Sequence, residues 1–502
     1  MIDSRSKLIF RTLFLSSEIA PFSKTGGLAD VAESLPAALK KGSLGDFDIR
    51  IATIAFSGIE QTEGIVHYKT IPFSCPLGEF KADIHLGHAS RSKDIPIYFI
   101  GIENLFNRTG GVYGDEKGEY SDNFERFTLW THALFQLIEE ESFYPDIVHG
   151  NDWQTGLFFP LLSERKKEDP LFAKIHSLFT IHNLSYKGLF PISRLRDTGL
   201  PREYAHFSRL EFYGKLSFLK GGITAADIVT TVSPNYRNEV LSEPAGEGLS
   251  GALKMRGKDF VGILNGIDSA RWDLANDPLF PYHPSTYEMK WKLSVKKDLL
   301  EHAGFDPNGE TFPLISMVTR LTPQKGVDIA FRAFNTIFKE ESAAFRAIVL
   351  GSGDSALVKD GMRFSELYPR DFAMFDLFDE KIAHAIFAGS DFFLMPSRFE
   401  PCGLSQMYSM RYGTLPIVNP TGGLKDTVIP DVNGIWLDEL TPEAIIRAIK
   451  VGVQIYRDGK RLADMRKNAM MVDNGWENRA NAYLALYTQI TKSEPITADP
   501  AL

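Results

Sequence analysis

Two cysteines in 502 residues, Cys75 and Cys402, are too few for a disulfide framework. Such scarcity fits a reducing compartment, and a cytoplasmic location is expected. No apolar run approaches the ~18 residues of a membrane span, so no membrane-spanning helix is expected. The opening stretch "SKLIFRTLFLSSEIAPF" is leader-like only at first sight. Arg11 interrupts it and no small-residue cleavage site follows, so it reads as a first buried strand. Positive charge is also scarce. With 55 Lys and Arg against 64 Asp and Glu, the net charge is -9. That balance excludes nucleic acid or an anionic membrane as the main partner. A small anionic ligand needs only local positive charge and stays open. No His/Cys cluster has zinc spacing, and there is no low-complexity tract or repeat array.

What is present is alternation. A chain of this length exceeds one ordinary core, so two domains are expected. Short apolar runs alternate with amphipathic stretches throughout. "TLFLSS" leads into "DVAESLPAALKK", where Val31, Leu35 and Leu39 share a helical face. Further strands are expected at "IRIATIA", "DIVHG", "SLFTIH", "DIVTTVS" and "FVGILNG", then at "FPLISMVTR", "FRAIVLG", "FFLMPS" and "TLPIVN". Most are continuously apolar, the pattern of parallel strands covered on both faces. The fold class is therefore α/β, with two doubly wound, Rossmann-like domains. The turn-rich segment around residues 266–285 reads as the linker.

Polar residues concentrate where these strands end, which is where open parallel sheets bind ligands. "TGGLAD" (Thr25 to Asp30) and "TGGLKD" (Thr421 to Asp426) each place a Gly-Gly pair at a helix start. Gly26, Gly27, Gly422 and Gly423 then expose N–H groups suited to phosphate. A plain helix-entry turn is the bland alternative, and two such pairs, one preceded by Lys24, favour phosphate. Arg320 and Lys325 share a loop in "TRLTPQKG" and suit a diphosphate better than two solvated charges. Glu400 in "SRFEPCGL" sits just past a strand, able to accept from sugar hydroxyls or to cap a helix. Cys402 there reads as packing. His182 ends a strand, as a ligand or as a structural histidine in equal measure. Asp152 and Trp153 suit a sugar, by carboxylate and ring face, or form a capping aspartate beside a buried indole. "DFD" at Asp46 to Asp48 is similar to the aspartate pair of metal-dependent sugar transferases, but its turn-like setting before a strand reads as loop.

These motifs together resemble bacterial glycogen synthases and plant starch synthases. The resemblance is carried over nearly the whole chain by "SSEIAPFSKTGGLADV", "HGNDWQTGL", "TIHNLSYKGLF", "TVSPNY", "GEGLSG", "GILNGID", "TRLTPQKGVD", "MPSRFEPCGLSQMYSMRYGTLPIV" and "TGGLKDTV". It implies a GT-B fold with both domains facing a central cleft. The domains would be residues 1–265, a hinge at 266–285, residues 286–475, and a final segment, 476–502, returning to the first domain. It implies retaining transfer of glucose from ADP-glucose to the nonreducing end of an α-1,4-glucan, without metal or cofactor. Carried over by motif, Lys24, Gly26, Gly27 and Asp30 lie at the donor, and Asp152, His182 and Asn265 surround its glucose. Arg320 and Lys325 hold the diphosphate with the N–H groups of Thr421, Gly422 and Gly423. Glu400 holds the sugar hydroxyls, with Cys402, Gly403 and Leu404 beside it. Trp153 is placed toward the acceptor. Phe378 replaces the family's usual tyrosine as the base-stacking ring, and Lys187 replaces a more usual glutamine. UDP-glucose as donor, a smaller acceptor, or a non-catalytic glucan-binding regulator are the competing readings. The oligomeric state is not implied.

Overall fold

The computed structural model describes residues 10–43, 47–90, 92–102, 105–108, 110–116, 118–273, 277, 279, 290–307, 312–340, 344–376 and 379–492. The chain divides into two compact units. One comprises residues 1–232, 237–265 and 476–502, the other 233–236 and 266–475.

The first unit is built on a nine-stranded sheet. Its strands, in spatial order, are Phe260–Gly262, Ile228–Thr231, His176–Ile181, Ile147–Asn151, Phe10–Leu15, Phe47–Ile54, Pro96–Ile102, Gly78–His88 and Val66–Cys75. The first seven run parallel, and the last two add an antiparallel hairpin at one edge. Phe10–Leu15 is central, with Phe14 opposite Ile51 on one side and His149 on the other. Its residues are buried except Arg11, as helices covering both faces require. Helix Gly27–Gly42 presses Leu28, Val31, Leu35 and Leu39 into the core. The edge hairpin differs: exposed and buried residues alternate along Phe73 and its neighbours, the pattern of a strand with one wet face.

Helix Trp476–Lys492 also belongs to this unit. Trp476, Ala480, Tyr483, Tyr487 and Ile490 are buried, and their spacing of four and three residues makes one continuous stripe. The stripe joins the core that holds Phe14, Leu35 and Leu39. Tyr487 adds a directional tie, its hydroxyl 2.7 Å from Nδ1 of His149. The other ring nitrogen of His149 lies 2.7 Å from Thr180 Oγ1, which in turn meets Thr230 Oγ1 at 2.6 Å. A buried polar chain thus registers the last helix on three adjacent strands.

The second unit carries a six-stranded parallel sheet in the order Phe372–Phe375, Arg346–Leu350, Leu314–Val318, Phe392–Met395, Leu415–Val418 and Ile435–Trp436. Helix Val327–Glu340 packs Val327, Ala330, Phe334 and Ile337 against it. The start of the expected linker is fastened into this unit. Ile267 N–H donates to Asn474 O at 2.7 Å. Trp272 stacks between His384 and Tyr408, with ring centroids 4.0 and 3.8 Å away. Asp277 accepts from His384 Nδ1 at 2.6 Å and from Tyr412. Most of the segment from 274 to 289 lies outside the described residues.

Candidate active site

In the first unit the site grows from two neighbouring parallel strands. Asn151 ends one and lies opposite Thr180 of the other. Asp152 follows with a φ of +57°, a left-handed conformation unusual for a residue with a side chain. The turn is held by its own carboxylate, whose Oδ1 accepts the N–H groups of His182 at 2.7 Å and Asn183 at 3.4 Å. Burial nevertheless dominates and pushes the Asp152 carboxyl up to about 7. Asn151 donates its Nδ2 to Leu15 O at 2.8 Å, which turns its Oδ1 toward Nε2 of His182, also at 2.8 Å. That oxygen accepts, so His182 carries its proton on Nε2 and leaves Nδ1 as an acceptor. Burial drives the His182 imidazole down to about 3, so the ring is neutral at ordinary pH. Asn265 is 5% exposed, and its Oδ1 has no hydrogen-bond partner among the described residues. Such an acceptor is costly unless something donates to it.

Trp153 is 6% exposed and sits in an aromatic cluster, with centroids 4.8 Å from Phe127 and 5.9 Å from Phe190. Its ring also lies against Gly188, whose φ is +56° and where an added Cβ would come within 2.4 Å of the indole. Trp153 therefore packs the wall behind the site; its ring face is already covered.

The first glycine pair is uncrowded, but the Gly26 N–H donates to Glu18 Oε2 at 3.1 Å, which corrects the expectation that both glycines offer free donors. Gly26 caps helix Gly27–Gly42 without a side-chain cap, and a Cβ placed on it meets nothing within 4 Å. Gly27 and Lys24 are exposed. Lys24 Nζ rests on Asp30 Oδ1 at 2.8 Å, a half-exposed pair worth little by itself.

In the second unit the loops after two adjacent strands interlock. Lys325 Nζ lies 2.6 Å from Glu400 Oε2, and Ser397 Oγ donates to the same oxygen at 3.1 Å. Glu400 is 6% exposed. Gln324 reaches Phe399 O at 3.2 Å and accepts Arg398 N–H through its own carbonyl at 2.8 Å. Gly326, with φ +66°, permits this approach, since a Cβ there would lie 1.9 Å from Pro396 O. Arg320 is exposed and makes no ion pair among the described residues.

The second glycine pair is tightly packed, and the Gly423 N–H is not the free donor expected. Gly423 N–H donates to Glu400 O at 3.1 Å and Pro401 O at 3.2 Å, so it is not presented to a phosphate. Leu424 N–H returns to Thr421 O at 3.1 Å. A Cβ on Gly422 would lie 1.9 Å from Glu400 O, and one on Gly423 2.2 Å from Cys402 O. The pair exists so that this short helix can press against the backbone that carries Glu400. Cys402 is buried, and Gln406 Nε2 bonds both its carbonyl at 3.2 Å and that of Gly403 at 3.0 Å. Leu404 precedes helix Ser405–Arg411. Phe378, expected at the base, lies outside the described residues.

Asn151, Ser397, Glu18 and Tyr113 were not singled out from sequence. Asn151 and Ser397 each stand within three residues of a chosen acid, a signal available in hindsight. Glu18 and Tyr113 are joined across 95 positions at 2.5 Å, which no local pattern reveals. Asp48, in the "DFD" stretch, lies in strand Phe47–Ile54 and pairs with Arg50 at 3.4 Å.

With this geometry in view, similarity to known proteins is informative. Residues 11–255 match the starch synthase catalytic domain, and residues 303–471 match glycosyl transferases group 1. Glycogen synthase of Anaeromyxobacter dehalogenans is 39% identical over 489 residues, covering 95% of this chain and 98% of that protein. Glycogen synthase of Myxococcus xanthus is 38% identical with the same coverage. The catalytic domain of starch synthase IV from Arabidopsis thaliana, solved with ADP and acarbose, superposes with a TM-score of 0.86. It is 27% identical, over 96% of this chain and all of that one. Sucrose-phosphate synthase from Thermosynechococcus elongatus shares the fold at a TM-score of 0.60 and 17% identity, covering 96% and 98%. The architecture is that of GT-B glycosyltransferases, and the chain belongs to the glycogen and starch synthase family of glucosyltransferases.

Proposed function

We propose that this enzyme transfers glucose from ADP-glucose to the 4-hydroxyl at the nonreducing end of an α-1,4-glucan, with retention, in the cytoplasm. The observation that carries the reading is the Lys325–Glu400 pair at 2.6 Å, on loops locked together by Gly326, Gly422 and Gly423. A cation and a carboxylate held on adjacent strand ends match the two halves of a sugar nucleotide, its diphosphate and its hydroxyls. Lys325 and Arg320 take the diphosphate and stabilise the charge that grows as ADP leaves. Glu400 accepts from glucose hydroxyls through the oxygen not engaged by Lys325 and Ser397. Lys24 and the uncapped helix start at Gly27 add positive potential for the donor. His182, neutral, and Asn265 take further hydroxyls.

In the reaction the acceptor O–H attacks C1 of glucose on the face from which ADP departs. The C1–phosphate oxygen bond breaks, the new C1–O bond forms, and the acceptor proton passes to the departing phosphate. The configuration is kept without a covalent step. Glu400 suits this orienting role because one of its oxygens is already saturated by a cation and a hydroxyl, which lowers its nucleophilicity. Release of nucleotide from ADP-glucose and from UDP-glucose, each with and without glycogen, tests the assignment. Glycogen-dependent release of ADP supports it; preference for UDP-glucose, or no release from either, overturns it. In Glu400→Gln, weak activity that still gives the α product supports the orienting role. A glucosyl adduct on Glu400 that turns over at the catalytic rate would replace it with a covalent one.

A further inference from the structure

Glu18 is a buried carboxylate that the proposed chemistry does not use. It stands three residues beyond strand Phe10–Leu15 and is 3% exposed. Oε2 accepts the N–H of Thr25 at 2.5 Å and of Gly26 at 3.1 Å. Oε1 accepts the phenol of Tyr113 at 2.5 Å, whose oxygen lies 2.7 Å from Ser17 Oγ. Burial and the adjacent Glu18 charge hold the Tyr113 phenol well above its ordinary range, so it remains a neutral donor. A carboxylate this far from water is retained only where its hydrogen bonds compensate its desolvation.

The two bonds at Oε2 both come from one loop. Thr25 and Gly26 are flanked by Lys24 and by the uncapped start of helix Gly27–Gly42. The exposed Lys24–Asp30 pair is too weak to fix that loop, whereas two backbone N–H groups held by a buried charge do fix it. With the Thr25 and Gly26 donors occupied by Glu18, the exposed Gly27, first residue of the helix, is the next that can offer an N–H to a ligand.

We propose that Glu18 is the positioning residue of the donor loop: held by Tyr113, it grips Thr25 and Gly26 and so sets the aim of Lys24 and the helix start. This rests on the donor role given to Lys24 above. A cycle of Glu18→Ala, Lys24→Ala and the double variant tests it, read as donor KM, kcat and ADP affinity by calorimetry. Each single variant is expected to raise the donor KM about tenfold, and the double variant to add less than about twofold to either. Glu18→Gln, which keeps an acceptor for both N–H groups, is expected to restore most of the affinity. If Glu18→Ala does not fold, Tyr113→Phe takes its place in the cycle, with a smaller shift in KM and the same lack of additivity. Additive effects, or unchanged ADP affinity in Glu18→Ala, overturn the proposal while leaving the donor role of Lys24 intact. An unchanged KM in Lys24→Ala removes that role, and the positioning role falls with it.

Discussion

Thr25 to Asp30 and Thr421 to Asp426 differ at a single residue, Ala29 against Lys425, yet the two loops do opposite things. The first begins a 16-residue helix whose cap is open to solvent and whose preceding N–H groups are held by a side chain. The second begins a six-residue helix whose glycines are jammed against the carbonyls of Glu400 and Cys402. Glycine leaves the helix start uncrowded in one loop and permits close backbone approach in the other. The distinction lies in the neighbouring loop, which the hexapeptide does not encode.

Glycine-to-alanine changes should separate the loops most sharply. Gly423→Ala forces a Cβ into a carbonyl oxygen and should cost about 3 kcal/mol or more of stability in urea unfolding. Gly26→Ala meets open space and should stay within about 1 kcal/mol, the scale of a cap preference. Equal losses at both positions would erase the contrast.

The cation of the closed region should matter more to rate than to folding. Lys325→Ala should forfeit roughly 2–4 kcal/mol of transition-state stabilisation, seen mainly in kcat. Normal turnover in the folded variant would remove Lys325 from the chemistry.

The strand ends of the first unit carry a pH signature. Asp152 keeps its proton up to about 7 in the folded protein, while the unfolded chain loses it near 4, so its contribution to stability falls as pH rises across that window. His182 has the opposite sign. It stays neutral down to about 3 when folded but gains a proton near 6.5 when unfolded, so stability falls as pH drops through that range. Asp152→Asn removes the first slope and leaves the second. Relative to the parent, the variant should gain stability from about pH 4 to about pH 7. A flat difference across that window in pH-dependent unfolding would contradict the buried-acid account.

The smallest effect concerns the last helix. Tyr487→Phe keeps the packing stripe and removes the bond to His149, and should cost about 1 kcal/mol in the same unfolding measurement.

The parallel sheets were legible because strands such as Leu314–Val318 and Ile147–Asn151 are buried at every position and read as unbroken apolar runs. The edge hairpin Val66–Cys75 and Gly78–His88 was missed for the complementary reason. Its exposed and buried residues are mixed, and its pattern sinks into the background of a loop. Strands Phe372–Phe375 and Pro96–Ile102 were not among those expected, although both are as apolar as strands that were. Among the candidate residues, Lys325 and Glu400, which the structure brings together, could be picked out because each follows a clear strand. The Glu18–Tyr113 tie and the closure of Gly423 were not, because both depend on partners set by the fold and not by spacing. Trp153 shows the limit from the other side: an aromatic next to a site acid reads the same in sequence whether it faces a sugar or Phe127.

Amide hydrogen exchange resolved to single residues, with and without ADP, tests the contrast between the loops most directly. Gly27 and Leu28 are expected to exchange quickly in the free protein and to become protected when ADP binds, while Gly423 stays slow in both states. A Gly423 amide that exchanges quickly without ADP and becomes protected with it would make the second loop the phosphate site and contradict the account.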